Sequence, residues 1–408
     1  MNFKVNTSCI SCNSNNLTDL LHLGMLPIAD ALLKAPEEKE FCAPCTLAYC
    51  STCHLLQIKE IVPPKLLFCN NYPYYSSVIT ALKKHFTESA ETIISERQLN
   101  KDNFVLEIAS NDGIMLETFK NHGIKVLGID PAEGPANIAI EKGIETIVDF
   151  FGIQTAEYIA QKYGKADVIL GNNVLAHTPY LNDFLTGIKK VLSQKGIAVI
   201  EVPYAREMLE KKEFDTIFHQ HISYFSVTSV KYAIESNGLF LNAVKPISIH
   251  GGSLRLFISL ENNPDPSVSK MLEEENVAGI NTVEYLSKFE TRIKDLKTEL
   301  NNLLSAIKGD NKTIAGYGAA GKANTLLTFF SIGSNYLLAI GDKNKVKQGM
   351  FFTGNKLPVI SPEELIDKNP DYILILAWNF SQEIIAELKE KGFKGKFIIP
   401  IPKPQVIS

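Results

Sequence analysis

Phe104-Val105-Leu106-Glu107-Ile108-Ala109-Ser110-Asn111-Asp112-Gly113 is the stretch that decides how this chain is read. Its first five residues are an almost unbroken apolar run, the pattern of a strand covered on both faces. A polar loop with one glycine follows, and Met115 to Lys120 then reads as a helix. Strand, loop and helix make the opening unit of a parallel sheet, and such sheets bind ligands beyond the carboxyl ends of their strands. Working outward, Lys125-Val126-Leu127-Gly128-Ile129-Asp130 is the next strand and ends on an acid. Ala166-Asp167-Val168-Ile169-Leu170 and Gly196-Ile197-Ala198-Val199-Ile200-Glu201 supply two more. That alternation predicts a parallel sheet with helices on both faces.

The loop also carries a ligand preference. Asp130 stands 23 residues after Glu107, where a carboxylate can accept both hydroxyls of a ribose, and Asp149-Phe150-Phe151 offers an acid and an aromatic face for adenine. Ser-Asn-Asp where a dinucleotide fold would place more glycines makes a poor cradle for pyrophosphate. An adenosyl cofactor without phosphates, S-adenosylmethionine (SAM), therefore fits better than NAD. The candidate cofactor residues are Glu107, Ala109, Asn111, Gly113, Asp130, Asp149 and Phe150.

A second loop lies far downstream. Gly316-Tyr317-Gly318-Ala319-Ala320-Gly321-Lys322 matches GxGxxG after a strand, and Asp342 ends the next strand 21 residues beyond Gly321. Alone this is a weak signal for NAD, or a tight turn with no ligand. Lys322, one residue past the third glycine, equally suits a nucleotide diphosphate. Around it the strand-helix alternation restarts with Thr313-Ile314-Ala315-Gly316, Tyr336 to Ile340, Tyr372 to Leu376 and Lys396 to Ile399. Lys288 to Ile307 has the spacing of an amphipathic helix. Ala377-Trp378-Asn379-Phe380 leaves a strand at its ligand-side end, so Trp378 or Asn379 is placed to touch a ligand.

All seven cysteines lie in the first 69 residues: Cys9/Cys12, Cys42/Cys45 and Cys50/Cys53 as three CxxC pairs, with Cys69 left over. Each CxxC turns two thiolates around one knuckle, and two knuckles make a tetrahedral zinc site. Disulfides suit small secreted chains, and clustered pairs suit metal better than redox chemistry. The expected ligands are Cys9, Cys12, Cys50 and Cys53, with Cys42 and Cys45 as alternates and Cys69 as a buried apolar residue. Such a closed site is structural.

At 408 residues the chain exceeds one ordinary core. The expected fold class is α/β: a zinc-binding domain at residues 1–70 and two Rossmann-like doubly wound domains at 71–240 and 241–408. A hydrophobic content of 45%, charged content of 21% and net charge of −4 describe a globular chain with no basic nucleic-acid surface. No apolar run reaches the length of a membrane span and the N-terminus lacks a signal-peptide core, so a cytoplasmic location and no membrane partner are expected.

One further segment bears on chemistry. Phe218-His219-Gln220-His221 sits among aromatics and hydroxyls in Phe214 to Ser226. Histidine titrates near neutrality and suits proton transfer, although an HxH pair alone is more often structural.

These motifs together resemble one family: the SAM-dependent C-methyltransferases that modify nucleotide-linked deoxysugars. The resemblance runs nearly end to end. It takes in the cysteine pairs, Tyr72-Pro73-Tyr74-Tyr75-Ser76-Ser77, the Glu107 to Gly113 loop, Asn172-Asn173-Val174-Leu175-Ala176-His177, the HxH segment, His250-Gly251-Gly252-Ser253-Leu254-Arg255, and Gly316 through Leu327. It implies a central SAM-binding domain and a C-terminal domain that helps hold the substrate, a 4-keto-6-deoxy sugar usually linked to thymidine diphosphate (TDP). It also implies a mechanism in which a carbon beside the ketone is deprotonated to an enolate that takes the methyl group. His221 matches the last histidine of the family's Tyr-His-Glu-His motif and becomes the expected base. His177 and Tyr74 become candidates to contact the sugar or steady the enolate, with His219 as a further polar contact. Asn172 joins the cofactor set; Tyr72, Gln220, Tyr224, Arg255, Gly318, Lys322 and Asn324 form the expected substrate set. The chain departs from the motif at Phe218 and Gln220, which lack a phenolic hydroxyl and a carboxylate. That departure leaves a non-catalytic or differently reacting homologue, and behind it an NAD-linked oxidoreductase, as the competing readings.

Overall fold

The computed structural model describes residues 3–69, 74–78 and 80–408. Phe104–Ile108 is a strand buried along its whole length, as its apolar run requires. It lies inside a seven-stranded sheet in the order Phe240–Ile247, Ser253–Ser259, Leu192–Pro203, Ala166–Asn172, Phe104–Ile108, Lys125–Ile129, Thr146–Ile147. The last five are mutually parallel. Chain order reverses between Phe104–Ile108 and Ala166–Asn172, which opens a crevice beyond their carboxyl ends.

The other two strands of this sheet are an antiparallel pair on its edge, with Ser253–Ser259 running against Leu192–Pro203. Leu241, Val244, Leu254, Leu256 and Ile258 enter the same apolar core as Leu106 and Ile169. The central sheet thus runs to Ser259, past the boundary expected at residue 240. A hairpin breaks the strand-helix rhythm, so periodicity assigned it to the following region.

The C-terminal sheet has six strands in the order Val359–Ile360, Leu337–Gly341, Ile314–Tyr317, Tyr372–Ile375, Lys396–Ile399, Gln405–Ile407, parallel except for the last. Chain order again reverses beside the glycine loop, between Ile314–Tyr317 and Tyr372–Ile375. The molecule therefore carries two switch-point crevices.

The cysteine-rich segment is no independent lobe. Leu17–Pro27, Cys42–Cys50 and Leu56–Ile58 form an antiparallel sheet whose fourth strand, Ser223–Tyr224, comes from just after the HxH motif. Helix Val283–Gly309 buries Leu286, Phe289, Ile293, Leu296, Leu300, Leu304 and Ile307 at spacings of three and four, one continuous stripe. Thr282 caps it by accepting a hydrogen bond from the Tyr285 amide. One apolar cluster joins that stripe to Leu21 and Leu47 of the cysteine-rich sheet, to Phe214 and Ile222, and to Leu326 and Phe330. All three regions share this core, which fixes their crevices relative to one another. No helix among the described residues is long and apolar enough to cross a membrane.

Candidate active site

The two crevices open into one cavity of about 820 Å³. On the central-sheet side its wall includes Ala109, Asn111, Asp130, Asp149, Phe150, Asn172 and Asn173. The loop after Phe104–Ile108 turns sharply: Ala109 and Asn111 both have left-handed backbones, at φ 58° and 50°. The Asn111 and Ala132 amides donate to the two Asp130 carboxylate oxygens at 2.9 and 2.8 Å. This holds the carboxylate at the strand end, and each oxygen retains a lone pair for a ribose hydroxyl. Gly128 permits this packing, because a Cβ there would stand 2.4 Å from Ser110 Oγ. The Asn173 Oδ1 on the cavity wall is buried without a hydrogen-bond partner among the described residues. A carboxylate with lone pairs to spare, an aromatic wall at Phe150 and an unpartnered polar acceptor fit the adenosyl part of SAM.

Glu107 and Gly113 support that wall from behind. Glu107 is buried off the cavity, and Asn172 Nδ2, on the wall, approaches its Oε1 at 3.4 Å. Burial first, then the nearby charges of Asp130 and Asp112, push the Glu107 carboxyl well above its ordinary range. Gly113 starts helix Ile114–Asn121 at φ 74°, and a Cβ would collide with Ile144 Cδ1 at 2.6 Å.

Where the three regions meet stands the HxH segment. Its backbone is tied to each of them: the Ile222 amide donates to Ala176 O at 2.7 Å, the Ile58 amide donates to Ile222 O at 2.9 Å, and Thr325 Oγ1 donates to Ile217 O at 3.0 Å. Phe214 stacks on Phe330, with centroids 4.7 Å apart. His221 lines the cavity with His177, Phe218, Gln220, Tyr224 and Tyr74. The His221 and His177 rings meet edge to face at 4.7 Å, and Phe218 packs on His221 at 4.2 Å. His221 Nδ1 lies 2.8 Å from Thr216 O. A carbonyl can only accept, so Nδ1 carries the hydrogen and Nε2 is left as the basic nitrogen. Enclosure in the protein pushes the His221 pKa down to about 4, against the Thr216 hydrogen bond and with help from the Lys322 charge. The ring is neutral at pH 7. Tyr74 stays protonated, its hydroxyl pushed up by burial and by the charges of Asp30 and Asp112.

On the C-terminal side the wall includes Tyr317, Gly318, Lys322, Asp342, Lys347 and Asn379. Asp342 mirrors Asp130, accepting from the Ala319 and Asn344 amides at 2.7 and 2.8 Å. Tyr317 OH and Asn379 Oδ1 are buried without hydrogen-bond partners among the described residues. Lys322 Nζ stands 3.8 Å over the Trp378 ring, whose Nε1 donates to Asp215 at 2.7 Å. Trp378 itself is off the wall.

Several expected ligand contacts are structural instead. Arg255 is no diphosphate clamp: it is buried in the sheet hairpin and pairs with Glu201, its Nε and Nη2 at 2.8 and 2.7 Å from Oε1. Asn324 is turned away from the cavity and joins the C-terminal helix to the cysteine-rich segment through Thr353 Oγ1 at 2.9 Å and the Pro27 and Ile28 carbonyls at 3.4 Å. His219 is buried off the wall with Nε2 at 3.0 Å from Pro44 O. Tyr72 lies outside the described residues. In the other direction, sequence reasoning passed over Asp30, Glu213 and Asn173, all on the wall. Asp30 and Glu213 carry no periodic or motif signal, whereas Asn173 stands inside the Asn172 to His177 run, whose pattern does not say which of its two amides faces the cavity.

Cys9, Cys12, Cys50 and Cys53 converge, their sulfurs all within 4.8 Å of one another. The Cys9–Cys53 and Cys12–Cys50 sulfurs are each 3.5 Å apart. Bonds of about 2.3 Å in a zinc tetrahedron place sulfurs about 3.8 Å apart, so the set fits the ion with little adjustment. Cys42 and Cys45 lie elsewhere on strand Cys42–Cys50, and burial raises both thiols. Cys69, expected to be buried, is only partly so.

Comparison with known proteins agrees with this architecture. Residues 9–68 match a family model described as "Putative zinc binding domain", residues 83–243 one described as "Methyltransferase domain", and residues 248–402 one described as "C-methyltransferase C-terminal domain". The chain is 34% identical over 408 residues to the C-methyltransferase NovU of Streptomyces niveus, covering 98% of this chain and 96% of that one. The ubiquinone biosynthesis O-methyltransferase of Nitrosococcus oceani is 28% identical over 137 residues, 29% of this chain and 56% of its own. Among solved structures, the magnesium protoporphyrin IX methyltransferase of Synechocystis with bound SAH covers 43% of this chain and 82% of its own at 14% identity and a TM-score of 0.34, too partial a likeness to decide anything. With SAM as its cofactor and zinc as its structural metal, this chain belongs to the C-methyltransferases that carry an N-terminal zinc-binding domain.

Proposed function

We propose that the enzyme methylates a carbon beside the ketone of a nucleotide-linked 4-keto-deoxysugar, with His221 as the base. The observation that carries this reading is the single cavity joining two ribose-type carboxylates, Asp130 and Asp342, with His221 lining the wall between them. One carboxylate suits the cofactor's adenosyl group, and the second, beside a glycine loop and Lys322, suits a nucleotide. A sugar attached to that nucleotide then reaches His221, which puts Tyr74, His177, Gln220, Tyr224, Gly318 and Lys322 in the substrate's surroundings. A thymidine diphosphate carrier is what the family resemblance favours.

His221 Nε2 takes the proton from the carbon, the C–H electron pair moves toward the carbonyl oxygen, and Thr216 O steadies the imidazolium through Nδ1. Tyr74 or His177 donates to the developing oxyanion. SAM, when bound, supplies a methyl group on a positive sulfur, the electrophile for the enolate carbon. A base with a pKa of about 4 is weak. The Lys322 charge is one cause of that low value, so an anionic ligand seated on Lys322 raises the proton affinity of His221 when substrate is present. The His221→Ala enzyme should bind SAM normally and lose turnover by at least 100-fold, the usual scale for losing a general base. Full activity in that variant would remove His221 from the mechanism.

A further inference from the structure

The cations on the C-terminal wall of the cavity already face carboxylates. Lys347 donates to Asp30 at 3.0 Å and also to Ala319 O at 2.7 Å. Lys343 stands 3.5 Å from Glu383 and 3.8 Å from Glu387. Lys322 lies in the field of both Asp215 and Glu213. A nucleotide diphosphate brings about two further negative charges, so this wall in its resting charge state opposes the ligand that its shape suits.

Glu213 is the group able to relieve that conflict. It lines the cavity at 4% exposure, and its Oε1 has no hydrogen-bond partner among the described residues. Asp215, two residues on and fully buried, has its carboxyl pushed up by burial, against the Lys322 charge and the indole hydrogen it accepts from Trp378. The charged groups facing Glu213 are Asp215, Lys322, Lys211 and Glu207. Lys211 is engaged with Glu207 at 2.6 Å and with Gly251 O at 2.8 Å, leaving Lys322 to be shared between the two buried carboxyls. One cation cannot balance both once a diphosphate claims it.

We infer that Glu213 takes up a proton when the diphosphate of the substrate seats on Lys322, so that nucleotide binding is linked to proton uptake. The inference rests on the reading of this cavity as a nucleotide-sugar site. Burial and the Asp215 charge place the Glu213 pKa at about 7 in the free enzyme, so the linkage operates at neutral pH. The sign follows directly. Below pH 7 Glu213 is already protonated and affinity is flat. Above it a proton must be bound together with the ligand, and Kd rises about tenfold per pH unit until the pKa of the complex is passed.

TDP itself is the probe. Titration calorimetry of the full-length enzyme at pH 8, in two buffers of different ionisation enthalpy, should give uptake of close to one proton per TDP bound. Glu213→Gln, which keeps the shape and removes the charge, should bind TDP with a Kd independent of pH, and at pH 8.5 about 30-fold more tightly than the unaltered enzyme. TDP binding without proton uptake in the unaltered enzyme overturns the inference and leaves the substrate reading standing. Weaker TDP binding by Glu213→Gln at every pH also overturns it, because Glu213 would then be a plain structural contact. Absence of binding by TDP or any other nucleotide diphosphate between pH 6 and 9 overturns both.

Discussion

At the scale of single residues, the charge state of His221 is set by enclosure rather than by a neighbouring acid. Gln220 stands where the family motif has a glutamate, and it can hydrogen-bond but cannot raise a histidine's proton affinity as a carboxylate does. A base must be neutral to accept a proton, so activity is present above its pKa and is lost as pH falls through it. With the free His221 held at about 4, kcat/KM should stay flat between about pH 5 and 7. An acid limb centred near 6.5, measured by initial rates across that range, would show a water-exposed histidine or a different base. The cysteine ligands were legible in the sequence because CxxC spacing is local, and His221 was legible because its motif is contiguous. Arg255, Asn324 and Glu213 were not. Whether a charged or amide side chain faces ligand or protein depends on partners 54, 29 and 109 positions away, at Glu201, Thr353 and Lys322, and no local pattern carries that information.

Among elements, the zinc knuckles act on the site through a strand. Cys50 closes strand Cys42–Cys50, which pairs with Leu56–Ile58, and that strand pairs in turn with Ser223–Tyr224, starting two residues after His221. Release of the metal loosens a sheet whose outer strand follows the proposed base directly. Cys50→Ser should lose bound zinc, measured by elemental analysis, and lower Tm by several degrees, the response of a domain losing a few kcal/mol. Cys45→Ala should keep its zinc. Retained zinc in Cys50→Ser, or lost zinc in Cys45→Ala, would move the site to the other pair. The parallel strands were readable from short apolar runs because both of their faces are covered. The hairpin Phe240–Ile247 and Ser253–Ser259 was not placed correctly, since which sheet edge a strand joins depends on the exposed edge it meets.

Across the whole molecule, the chain builds two switch-point sheets and turns them toward one cavity. Three regions were visible in the sequence as shifts of composition and rhythm. Their interlock was not. It depends on contacts such as Thr325 to Ile217, Asp30 to Lys347 and the isolated bridge between Leu33 and Phe351. The cysteine-rich segment meets the C-terminal region through the last two of these contacts and the HxH segment through the Ile58 amide to Ile222 O, so it braces the distance between the two ends of the cavity. That distance matters to the proposed chemistry, because a methyl donor and a carbon nucleophile held in register gain much of their rate from positioning alone.

The most direct test of this account is mass spectrometry of 4-keto-6-deoxy nucleotide sugars incubated with enzyme and SAM in deuterated water. The account predicts a SAM-dependent gain of one methylene on at least one TDP-linked sugar, with exchange of the hydrogen beside the ketone that disappears in His221→Ala. A methyl group gained on oxygen, or gained on carbon with no exchange at that position in any variant, would contradict the enolate route through His221.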